Sequence, residues 1–128
     1  MGMSNYLSKK LLDHVLKTAS YTAPTNIYVA LMTSSGGTEV TGGSYARVTC
    51  NTWDAATLAS PSVAANTSVI TFATPTANWG TVSYFQIFDA LTGTTNALSD
   101  VTPLTVAKAV TTGEVVTFPA GALVWSLT

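Results

Sequence analysis

From Asn26 onward, apolar residues recur at every second position in short runs, and Gly-rich segments separate the runs. A two-residue period is typical of β-strands, because successive side chains point to opposite faces of a sheet. The predicted strands are residues 26–33, 45–52, 68–74, 82–89, 104–110, 114–118 and 122–127. Several short strands with no second helix predict a mainly β protein, namely an antiparallel β-sandwich or jelly-roll-like domain.

Two segments refine this pattern. Residues 26–33 are apolar on both faces, which predicts a strand that is covered on both sides. Residues 53–66 are rich in Ala and Ser and contain Pro61, so they predict a loop. The length of 128 residues predicts one domain that spans residues 1–128, with a helical segment at 1–20 and the β-sandwich at 26–128.

The segment before the strands has a helical period. Residues 6–17 predict one short N-terminal α-helix, with Ser4 or Asn5 as its N-cap. Its apolar residues form a single stripe at three- and four-residue spacing, and they are Leu7, Leu11, Leu12, Val15 and Leu16. One short helix cannot bury such a stripe alone, so we expect it to lie on the sheet or on a neighbouring subunit. These five residues are the candidate oligomer or partner interface.

The low charge of the chain bears on its partners. Charged residues make up 9% of the sequence, against roughly 25% in typical soluble domains. A surface of Thr and Ser can be covered by another subunit at less desolvation cost than one of Lys and Glu, which predicts a homo-oligomer. The formal net charge of −1 argues against nucleic acid as a partner. No stretch is long and apolar enough to cross a bilayer, so no membrane partner is expected.

Reactive side chains are few. The single His, His14, lies on the polar side of the predicted helix without a fixed partner. The single Cys, Cys50, lies in a predicted strand, and we expect it to be a small buried hydrophobic residue. The carboxylates outside the helix are Glu39, Asp54, Asp89, Asp100 and Glu114, and most of them lie beside Gly or Thr in predicted turns. Two of them could flank a glycosidic bond, and a loop-bound Ca²⁺ stays open without a spaced ligand set to support it. The sequence therefore predicts no enzyme, no catalytic or metal-binding residue and no cofactor.

The three tryptophans leave two alternatives open. Trp125 falls in an apolar terminal run and predicts a core residue. Trp53 and Trp79 fall at strand ends, where an indole ring either seals the packing of a β-sandwich or stacks on a bound sugar. These two residues are therefore the candidate ligand contacts, with core or edge packing as the structural alternative.

The order of segments resembles a family of small tailed-phage and prophage proteins that are usually labelled phage tail fibre proteins. The resemblance spans nearly the whole chain and rests on LLDHVL at residues 11–16, NIYVAL at 26–31, GTEVTGGSYARV at 37–48, WGTVSYF at 79–85, IFDA at 87–90, GE at 113–114 and FPAGAL at 118–123. The segment at 37–48 is the most specific piece. The resemblance implies a virion component, assembled in the cytoplasm of the bacterial host, and it carries over no catalytic motif.

Three hypotheses for the function follow. A fibre needs length from repeats, a coiled coil or a β-helix, and this chain has none of them. Its compactness and low charge favour a capsid decoration (cement) protein, which would form closed homo-oligomers, preferably trimers, on other virion proteins such as the major capsid protein. The alternative is a receptor-binding module associated with the tail fibre or tail tip. A wall-degrading glycosidase rests only on the scattered carboxylates.

Overall fold

The computed structural model describes residues 1–127, and within them it contains one α-helix and eight β-strands. In chain order these are α1 (Asn5–Val15), β1 (Tyr28–Met32), β2 (Val48–Thr49), β3 (Ser62–Ala65), β4 (Ile70–Thr71), β5 (Gly80–Phe88), β6 (Thr102–Val110), β7 (Thr117–Phe118) and β8 (Val124–Leu127). Every strand pairing is antiparallel. The prediction of a mainly β protein with antiparallel sheets and one short N-terminal helix is confirmed.

The strands form one larger sheet and two pairs. The larger sheet has the strand order β2-β1-β5-β6, while β3 pairs with β8 and β4 pairs with β7. In the centre of the large sheet, the register of β1 on β5 runs from Tyr28 opposite Phe88 to Met32 opposite Tyr84. The β3–β8 pair joins the residues after Trp53 to the C-terminal strand, with Ala64 opposite Trp125.

The core lies on both faces of β1. On one face, Val29 and Leu31 pack into the main cluster, which also contains Phe72, Phe85 and Phe118. On the other face, Ala30 and Met32 pack with Phe88 in a second cluster. The expectation that this strand is covered on both sides is confirmed, because its side chains alternate between two apolar environments.

Several predicted boundaries were wrong. The predicted strand at 45–52 is reduced to β2, because its first residue closes a turn in which the Tyr45 amide donates to the Gly42 carbonyl at 3.0 Å. The predicted loop at 53–66 contains β3, and Trp53 forms a bridge with Asn66 at its far end. The Asp54 carboxylate holds this turn in place by accepting a 2.7 Å hydrogen bond from the Ala65 amide. Part of a segment that is predicted as a loop thus forms a strand, because the distant strand β8 supplies its backbone hydrogen bonds.

The outer strand β6 is interrupted. Val82 of β5 pairs with Lys108, but Tyr84 pairs with Pro103, so four β6 residues, 104–107, lie opposite the single residue Ser83. Such an excess on one strand is a large β-bulge. The Val106 side chain, in the middle of the bulge, is 77% exposed. β6 therefore presents an irregular edge to solvent.

Candidate interaction surface

Helix α1 starts and ends with clear caps. The Ser4 hydroxyl oxygen accepts a hydrogen bond from the Leu7 amide at 3.1 Å, and it also donates to the Ala97 carbonyl, which ties the helix start to the body. The helix ends at Val15, and Lys17 adopts a positive φ of 63° just after it. The predicted helix of 6–17 is therefore confirmed apart from its last two residues.

The apolar stripe of α1 divides into two halves. Leu7 and Leu11 are half-buried, and Leu7 packs against the main core. The other three residues point away from the body, since Leu12 is 61% exposed, Val15 70% and Leu16 71%. We call these three residues the exposed helix face. The body of the protein thus partly covers two of the five stripe residues, and a neighbouring subunit stays a prediction for the other three.

A groove lies beside the first turn of α1, between Leu7 and the β3–β8 pair. Its volume is about 340 Å³, and its lining includes Met3, Leu7, Trp53, Val63, Trp125 and Leu127. The rings of Trp53 and Trp125 meet at a centroid distance of 6.0 Å, and the Trp53 indole N–H donates to the Cys50 carbonyl at 2.9 Å. We call this the tryptophan groove. It offers shape and apolar surface but few polar groups, so it suits an apolar occupant.

The second candidate ligand residue, Trp79, lies elsewhere. It is 5% exposed, and its indole N–H donates to the Gly43 carbonyl at 3.0 Å. Its ring meets the edge of Tyr45 at a centroid distance of 5.4 Å and an interplanar angle of 87°. The packing alternative accounts for this position, because a buried ring has no free face on which a sugar could stack. Trp53 alone of the two lines a groove.

The segment at 37–48, which carries the most specific part of the family resemblance, contributes a polar network around Arg47. The Arg47 side chain is only 2% exposed and forms a two-pronged ion pair with Glu39, with N–O distances of 2.8 and 2.7 Å. Its guanidinium also donates to the carbonyls of Ala90 and Gly93 at 2.9 and 2.6 Å. It lies 3.8 Å from the centre of the Phe88 ring. One buried cation thus joins the 39–47 segment to the loop that follows β5.

Tyr45 completes this network. Its hydroxyl donates to Glu39 at 2.8 Å and accepts from the Leu31 amide at 2.9 Å, so it links the ion pair to strand β1. Burial, followed by the contact with the Glu39 carboxylate, raises the pKa of the Tyr45 phenol far above its ordinary value. The phenol therefore stays protonated and serves as a structural hydrogen-bond donor. Sequence reasoning missed this network, although the strand period already placed Tyr45 and Arg47 on one face.

The candidates for chemistry are dispersed. His14 is exposed, and its Nδ1 accepts from the Tyr21 amide at 3.1 Å. Cys50 is buried, as its sequence context predicts, and this burial raises the pKa of its thiol to about 11. Glu39 is committed to Arg47, and Glu114 lies 4.0 Å from Lys108. Among residues 1–127, no three His, Cys, Asp or Glu side chains lie together in an arrangement that could hold a metal ion.

Comparison with known proteins gives one family. The model of the family described as podophage GP4 fiber I protein gp80 matches residues 2–126. No curated protein matches the chain. As for membrane-crossing segments, α1 is too short to be one, and the part of the chain that the structure describes holds no other helix.

Proposed function

The chain belongs to the podophage GP4 fiber I protein gp80 family, whose model matches residues 2–126, and from this membership we propose that it is a subunit of a phage tail fibre. The resemblance to phage tail fibre proteins is thereby confirmed, and the chain is a virion structural protein. The family match is the observation that carries the proposal. It supports the fibre alternative of the sequence analysis better than the capsid-decoration hypothesis, which is not confirmed.

The geometry supports a subunit that contributes contacts rather than length. The described strands have at most nine residues, and the core draws on segments from Val29 to Leu123. Such a fold cannot extend a fibre by itself, so length would come from neighbouring subunits. The exposed helix face provides an apolar surface that such a neighbour can cover. A structural role of this kind needs no catalytic group.

Location on the particle tests the proposal directly. The loop at 92–95 is exposed, and a short epitope between Thr94 and Thr95 would leave the Gly93 carbonyl free to bind Arg47. Gold-labelled antibody on intact particles should then mark the fibres at the tail, with untagged particles as the control. Label spread over the head shell would overturn the proposal and favour the capsid-decoration hypothesis.

Particles that lack the protein provide a second test. If the chain is a fibre subunit, such particles should keep filled heads of ordinary heat resistance and lose fibre density and adsorption to the host. Heads that burst at a lower temperature, with fibres intact, would contradict the fibre assignment.

A further inference from the structure

We propose that a pocket beside the Arg47–Glu39 ion pair binds a neutral sugar ring, an inference that rests on the proposed function because it gives the fibre subunit a ligand. The pocket has a volume of about 370 Å³ and lies between the 39–47 segment and the loop at 91–93. It shares no lining residue with the tryptophan groove. We call it the Glu39 pocket, and its lining includes Glu39, Thr41, Ala46, Leu91 and Thr92.

Glu39 offers a hydrogen-bond acceptor to this pocket. Its Oε1 atom accepts from the Tyr45 hydroxyl and from Arg47 Nε, whereas among the described residues Oε2 accepts only from Arg47 Nη2. Each oxygen of an ionised carboxylate can accept two hydrogen bonds, so Oε2 keeps room for one more donor. The Glu39 side chain is 21% exposed and the Arg47 side chain 2%. The carboxylate is therefore the end of the ion pair that a ligand can reach.

This carboxylate is fixed before a ligand arrives. Tyr45 and Arg47 hold it from the protein side with three hydrogen bonds. A ligand that donates to Oε2 does not have to order a mobile side chain, which is one of the usual costs of binding. Hydrogen bonds to an ionised acceptor are also stronger than those between neutral groups. The Glu39 pocket thus provides one strong and well-oriented acceptor.

The charge of the pocket favours a neutral ligand. The charges of Arg47 and Glu39 cancel, and no other charged side chain is found among the described residues that line the pocket. An anionic ligand would meet the accessible carboxylate, and a cationic ligand would lie close to the buried guanidinium, so like charges would oppose either one. A neutral hydroxyl group can donate to Glu39 without such repulsion.

The remaining lining matches the two kinds of surface that a sugar ring presents. Leu91 is 53% exposed, and together with Ala46 it supplies apolar surface for the C–H groups of the ring. Thr41 and Thr92 are exposed, and their hydroxyls can both donate and accept. Pockets of roughly 300–1,000 Å³ that combine apolar walls with a few fixed polar groups are typical of small-molecule sites. A pyranose carries hydroxyls around its edge and C–H groups on its faces, so it uses both kinds of lining.

Two-dimensional ¹H–¹⁵N NMR of the full, untagged chain tests the proposal. The probes are the methyl glycosides of glucose, galactose, mannose and rhamnose. We expect at least one of them to shift the amide signals of Gly42, Thr92 and Gly93, with a Kd on the order of 1 mM. If none of the four shifts these signals at about 20 mM, which is roughly twenty times that Kd, the inference is wrong.

A charged probe tests the role of the carboxylate. Methyl glucuronide adds one negative charge to the ring of methyl glucoside, so it should bind more weakly than the best of the neutral sugars. Equal or tighter binding of the glucuronide would mean that the guanidinium, and not the carboxylate, recognises the ligand, and would overturn the inference.

Substitutions in the lining place the sugar in the pocket. Ala46→Trp fills the pocket and should weaken binding at least about tenfold, while Ala55→Trp, at an exposed position outside the lining, should leave the Kd unchanged. An unchanged Kd for Ala46→Trp, or equal weakening by Ala55→Trp, would overturn the inference. If Ala46→Trp does not fold, Thr92→Val decides in its place, because it removes one lining hydroxyl at nearly constant shape. Its control is Thr94→Val at an exposed position outside the lining.

The outcomes distinguish this inference from the proposed function. An isolated chain that binds none of the sugars refutes the Glu39 pocket as a sugar site, even if antibody labelling places the protein on the fibre. Sugar binding that Ala46→Trp abolishes supports the site, even if the label marks another part of the virion.

Discussion

Replacing Arg47 by Met tests the network at the centre of the 37–48 segment. The change keeps an unbranched apolar stem but removes the guanidinium that lies over the Phe88 ring, together with four hydrogen bonds, two to Glu39 and one each to the Ala90 and Gly93 carbonyls. Removing one partner of a buried ion pair costs about 3–5 kcal/mol, because the remaining charge is left without compensation. The Glu39 side chain is 21% exposed, so water can partly solvate it and the lower end of that range applies. We expect a loss of about 3 kcal/mol in the free energy of unfolding, which lowers the melting temperature by roughly 10 °C.

Urea unfolding followed by tryptophan fluorescence measures this loss. Glu39→Gln is the partner variant, and the double variant Arg47→Met with Glu39→Gln closes a thermodynamic cycle. If the ion pair carries the effect, Arg47→Met should cost at least about 1 kcal/mol less in the Glu39→Gln background than in the wild-type one. A loss below about 1 kcal/mol for Arg47→Met, or strict additivity of the two changes, would refute the reasoning.

Three further predictions concern other parts of the core. Gly43→Ala should cost about 2–4 kcal/mol in urea unfolding, because Gly43 has a φ of 57° and a Cβ there would lie 2.8 Å from the Trp79 indole nitrogen; a loss under 1 kcal/mol would contradict this. Burial raises the pKa of the Cys50 thiol to about 11, so iodoacetamide at pH 8 should label the protein only after urea unfolds it, and labelling of the native chain would count against it. The raised pKa of Tyr45 keeps the folded chain protonated where the unfolded chain ionises, so stability should be full below about pH 10 and fall as the pH rises further. Tyr45→Phe should make that decline shallower, and an equal slope in both proteins would refute the assignment.

Local periodicity predicted the parts of the fold whose signal is local. The two-residue period at 26–33 was enough to identify β1 and its burial on both faces, because the residues on each face are apolar. The three- and four-residue spacing identified α1 to within two residues. Neither inference needed a distant partner, because the side-chain direction follows from the backbone period alone.

The features that were missed depend on distant partners. Strand β3 forms because it pairs with β8, which lies about sixty residues further along the chain. The small side chains at 62–65 give no local pattern that predicts this pairing. Arg47 donates to the carbonyls of residues 43 and 46 positions further along the chain. Its role in joining these segments therefore depends on the fold and could not be predicted from the neighbouring sequence. The stripe of α1 is predicted to lie on the sheet or on a neighbouring subunit; its Leu7 side packs against the core, and the neighbouring subunit stays a prediction. Trp53 was identified as a candidate contact, but its meeting with Trp125 came only from the fold.

The bulge in β6 affects whether copies of the protein aggregate with one another at high concentration. An outer strand with an unbroken row of free amides and carbonyls is a template for strand-by-strand polymerisation into amyloid-like aggregates. Four looped residues, together with Pro103, which has no amide hydrogen to offer, break that row. A chain with so little charge has weak electrostatic repulsion to keep its copies apart, and the broken row supplies that protection by geometry. Deleting three of the four looped residues would restore a single register along β6, and we expect that variant to precipitate more readily than the wild-type protein.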